Sequence, residues 1–76
     1  PSLEETLNEL PRFEGLEKAF DFAIEAEKVA TEFYRILGDA CSDIEIKTNM
    51  VLLEKAEIEH CNVVETLKKR VLENLS

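Results

Sequence analysis

The sequence predicts an all-α protein: an antiparallel helical hairpin preceded by a short N-terminal helix, with two hairpins associating into a four-helix bundle. Three observations lead there. Apolar residues recur at spacings of three and four through two long segments that are nearly free of Gly and Pro. The link between them, Gly38-Asp39-Ala40-Cys41-Ser42-Asp43, is short, which favours antiparallel neighbours. Finally, 76 residues are too few to bury much surface as a monomer, and one hairpin leaves its apolar stripe half uncovered.

The elements follow in order. Ser2-Leu3-Glu4-Glu5 reads as a capping box, Ser at the N-cap and Glu three later. Leu3, Leu7 and Leu10 then recur on one helical face, and Pro11 stops the piece. Residues 1–12 are thus expected to form an arm with a helix over 3–9, and residues 13–76 the hairpin. Pro1 is what removal of an initiator Met would leave, so a natural N-terminus is expected there.

The first long helix is expected from about Glu14 to Leu37, with Gly38 as its C-terminal glycine. Two heptad columns mark its apolar side: Phe13, Phe20, Glu27, Tyr34, and Leu16, Ala23, Ala30, Leu37. Ile24 and Phe33 widen that side, as a bundle helix requires. Ser42 and Glu45 form a second capping box, so the next helix should begin near Asp43. It continues to Leu75 without Gly or Pro, roughly 45 Å at the helical rise. Its stripe is Ile46, Met50, Leu53, Glu57, His60, Val64, Leu67, Val71. Lys68, Lys69 and Arg70 near its end suit the helix dipole and solvent.

Composition removes whole classes of function. The net charge of −8, spread along the chain, argues against nucleic-acid binding, which needs a basic face. No apolar run approaches the roughly 20 residues that span a bilayer, so no membrane association is expected. The start lacks a signal-peptide pattern. Cys41 and Cys61 make no C-x-x-C pair, which argues against a zinc ribbon or a thioredoxin-like site. Free thiols fit a reducing cytoplasm, the expected location, with a protein compartment as the alternative.

The stripes carry three ionisable exceptions: Glu27 on the first helix, Glu57 and His60 on the second. An E-x-x-H step is common in a chain with 14 Glu, so its spacing alone says little. Height in the hairpin says more. With the turn centred near residue 42, facing residues obey i + j ≈ 84, and Glu27 faces position 57. Two carboxylates and an imidazole away from water need compensation. A buried hydrogen-bonded Glu–His cluster would provide some. A bound cation would satisfy all three at once. One hairpin offers three ligands; two related by a two-fold axis offer four Glu and two His, the donor set of di-iron carboxylate bundles. Stability and ligand count therefore ask for the same homodimer.

The stretch Ala23-Ile24-Glu25-Ala26-Glu27-Lys28-Val29-Ala30-Thr31-Glu32-Phe33-Tyr34, followed by Leu53-Glu54-Lys55-Ala56-Glu57-Ile58-Glu59-His60, resembles one half of a rubrerythrin or bacterioferritin-type, ferritin-like di-iron protein. Glu27 precedes Tyr34 by seven positions and Glu57 precedes His60 by three, as in that family. The resemblance covers residues 16–67, and the unit occurs once here rather than twice, which is similar to the two-helix half-ferritins, encapsulated ferritins among them. It implies iron, an oxidoreductase activity of ferroxidase or peroxidase type using O2 or peroxide, and Glu27, Glu57 and His60 as ligands. It also implies that the Tyr34 hydroxyl orients a ligand carboxylate across the dimer; on its stripe position alone Tyr34 reads equally as a core aromatic with a solvated hydroxyl. Ala30 stands where rubrerythrins carry a further Glu, and from these 76 residues neither a rubredoxin-type cysteine tail nor the extended C-terminal tail of the encapsulated forms is expected.

The rival activities are a peroxide reductase fed by an external donor and a non-catalytic metal-binding or dimerisation hairpin. Zn or Mn could occupy the same ligands. Among other residues, Glu54 could gate iron passage but reads first as a solvated acid. Thr31 reads as a helix Thr bonding its own backbone. Cys61 turns about 100° away from His60 and is a poor ligand candidate. Met50 and the Phe residues read as core.

Overall fold

The computed structural model describes residues 12–75, with side chains from residue 14 onward. The expected N-terminal helix, and the place of the Phe13 side chain in the stripe, lie outside the described residues. Two helices account for almost all of the rest: α1, Arg12–Ala40, and α2, Ile44–Leu75. They pack side by side as a hairpin joined by residues 41–43. No strand occurs among the described residues.

Both ends of the link differ from expectation, and each difference has a local cause. Gly38 is not a C-terminal glycine: α1 runs through it to Ala40, and no residue among those described takes a positive φ. Cys41 N–H donates to Leu37 O at 3.1 Å and closes the last turn. The carbonyl of Gly38 accepts from Lys47 Nζ at 2.8 Å, so a cation from α2 serves a helix end that has no basic residue of its own. Gly38 is instead a point of close approach, because a Cβ there would lie 3.3 Å from Met50 Cβ. Gly38→Ala should stay near wild-type stability, since a helix-propensity gain of about 1 kcal/mol opposes that tight contact. Gly38→Val should lose about 1–3 kcal/mol by overpacking the turn, read as a lower midpoint in thermal melts.

The N-cap of α2 is Asp43 rather than Ser42. Asp43 Oδ1 accepts from the N–H groups of Glu45 (2.9 Å) and Ile46 (3.1 Å). Because α1 uses residues up to Ala40, α2 begins one residue later than the Ser42 box would place it.

The two helices meet along a seam narrower than the sequence stripe. On α2 the half-buried positions are Lys47, Met50, Glu54, Ala56, Glu57, Cys61, Val64, Lys68, Val71 and Leu72. Ile46, Leu53, His60 and Leu67, expected on the same stripe, are exposed along one flank. Lys68 is not a free dipole partner: the last turn of α2 carries no basic residue, and Lys68 Nζ bonds Asp21 Oδ1 at 2.5 Å across the hairpin. That bond, followed by the nearby negative charge, raises the Lys68 pKa. Lys47 and Lys68 thus lay their stems along the seam and spend their charges near its two ends.

A two-helix layer has no interior. No apolar side chain among the described residues is buried. The radius of gyration is 16.0 Å, against about 11 Å for a compact chain of this length. The accessible surface is 5781 Å², against about 4,700 Å² for a compact protein of 8.7 kDa. The difference, roughly 1,000 Å², is what one partner contributes to a standard protein interface.

Candidate metal centre

Glu27 lies near the middle of α1, on the side that meets α2, because it shares a column with Phe20 and Tyr34. Glu57 lies near the middle of α2 on the facing column, and His60 is less than one turn further on. The hairpin brings the three together: one donor atom from each lies within 4.8 Å of the others. His60 Nδ1 is 3.7 Å from Glu27 Oε2, too long for a hydrogen bond. These are the three residues that the height rule placed at one level.

Their environments differ. Glu27 is mostly covered, its side chain 25% exposed, whereas His60 is 63% exposed and opens onto the flank with Ile46, Leu53 and Leu67. Glu27 Oε2 is shut off from water and accepts no hydrogen bond. With both carboxyls ionised, neither can donate to the other. A proton shared with Glu57 supplies the missing donor, and this is the largest cause raising the Glu27 pKa above 4.5. Desolvation and the Glu57 charge raise it further, and His60 opposes them. Once both carboxyls are ionised, no donor within the hairpin settles Glu27 Oε2, and a cation would take the place of the shared proton. The donor set of two carboxylates and one imidazole suits a divalent first-row ion. On these grounds the residues fit a metal.

The raised pKa gives a sign for stability. A carboxyl that holds its proton more tightly when folded makes the folded state bind more protons than the unfolded one. The metal-free protein should therefore lose stability as pH rises from 4.5 through the folded value, where Glu27 ionises beside Glu57 and His60. Thermal melts of the apoprotein at stepped pH should show this slope, and Glu27→Gln should flatten it.

Tyr34 stays apart from the cluster within one hairpin. It is half-buried two turns along α1, with its ring 5.8 Å from that of Phe33, and no hydrogen bond joins it to Glu27, Glu57 or His60. Thr31 Oγ1 donates to the Glu27 carbonyl at 2.8 Å, the ordinary helix back-bond expected of it. Cys61 faces the seam and stands outside the three-donor group; burial pushes its thiol pKa up, with Glu65 adding to the effect. Glu54 is half-buried one turn before Glu57 rather than fully solvated. Sequence reasoning missed the Asp21–Lys68 bridge that ties the helices beyond the cluster. The signal was Lys68 standing seven residues after Cys61 and eleven after Glu57, on the seam column.

Among the described residues no helix is long and apolar enough to cross a membrane. Comparison with protein-family profiles, with curated proteins and with solved structures finds no match to this chain.

Proposed function

We propose that this chain is one half of a ferritin-like di-iron site, completed by a second copy, and that it oxidises Fe(II) with O2 or peroxide. The observation that carries the reading is the convergence of Glu27, Glu57 and His60 around a carboxylate oxygen that has no partner. Glu27 and Glu57 of both chains would hold the metal through oxygen, and His60 through nitrogen. Two Fe(II) ions bound together supply two electrons, which with two protons convert one O2 to hydrogen peroxide, or one hydrogen peroxide to water.

The chain's own residues set the conditions. Glu27 supplies a desolvated carboxylate whose proton must leave before an ion can bind, so uptake should weaken as pH falls. His60 lies on the exposed flank, where a two-fold partner would cover it together with Ile46, Leu53 and Leu67. The excess of roughly 1,000 Å² of surface over a compact chain supports that partner. Tyr34, half-buried on the Glu27 column, would meet the second chain's carboxylates rather than its own. Ala30 leaves the site without a further carboxylate, which favours this symmetric donor set over the peroxide-reductase alternative.

Anaerobic titration of apoprotein with Fe(II) tests the reading. Uptake should saturate at about one iron per chain, and admitting O2 should produce a ferric absorbance band. Absence of saturable uptake, or uptake unchanged in Glu57→Ala and His60→Ala, would overturn it.

A further inference from the structure

We draw no further inference here: the strongest candidate, the exposed apolar face of α1 formed by Phe22, Val29, Phe33 and Ile36, carries nothing because nothing in the structure shows what covers it.

Discussion

Removing metal with a chelator should lower the melting temperature by roughly 10–20 °C and shift the protein toward the monomer. The reason is the absence of a core. No apolar side chain among the described residues is buried in one hairpin, so under the proposed pairing folding and association would be one process. The proposed association over the flank would also bring four carboxylates together, two Glu27 and two Glu57, and their repulsion would oppose it. A bound metal would turn that repulsion into attraction. At free metal about a hundredfold above its dissociation constant, each ion adds about 2.7 kcal/mol, and two add about 5 kcal/mol. For a dimer of this size about 3–4 °C accompanies each kcal/mol. Calorimetry with and without chelator, combined with mass in solution, measures both effects. A melting temperature indifferent to chelator and to added iron would favour a plain dimerisation hairpin.

Glu27→Gln should separate stability from function. The substitution keeps the shape, removes one charge per chain and places an N–H donor beside Glu57. It supplies internally what Glu27 Oε2 lacks. The metal-free variant should melt above metal-free wild type. Its iron affinity should fall by more than about a hundredfold, since even residues that only support a ligand cost 10–100-fold when lost. With iron present the order of melting temperatures should reverse. A variant that is less stable without metal would mean that Glu27 serves the fold, and that the carboxylates are not held against their own repulsion.

The outcome at particular residues shows why some of this was legible and some was not. Helical period, the short link and the absence of Gly or Pro from residue 43 onward are local properties, and two long helices follow from them. The level of Glu27 and Glu57 was legible too, because an antiparallel hairpin has only one length variable. Register was less exact. Asp21 pairs with Lys68 and Gly38 approaches Met50, about one helical turn from the simple height rule. The site tolerates this because Glu and His side chains reach across such a difference.

Gly38 and Asp43 show the limit at the turn. Glycine after an apolar run signals a helix end, but here the missing Cβ serves the neighbouring helix, which is a tertiary reason. Ser42 and Asp43 are both good caps, and only the actual end of α1 decided between them.

What the sequence determined by itself is the pair of helices, their antiparallel order and the three polar residues set among apolar ones. These depend on backbone hydrogen bonding and side-chain period, which act over a few residues. Only the tertiary structure decided which side of each helix meets which neighbour. The single broad stripe of α2 divides into a seam carrying Lys47, Glu57 and Lys68 and a flank carrying Ile46, Leu53, His60 and Leu67. That division depends on how two cylinders pack against each other. It leaves Glu27 covered and His60 open, an asymmetry that the three-residue spacing of Glu57 and His60 does not contain.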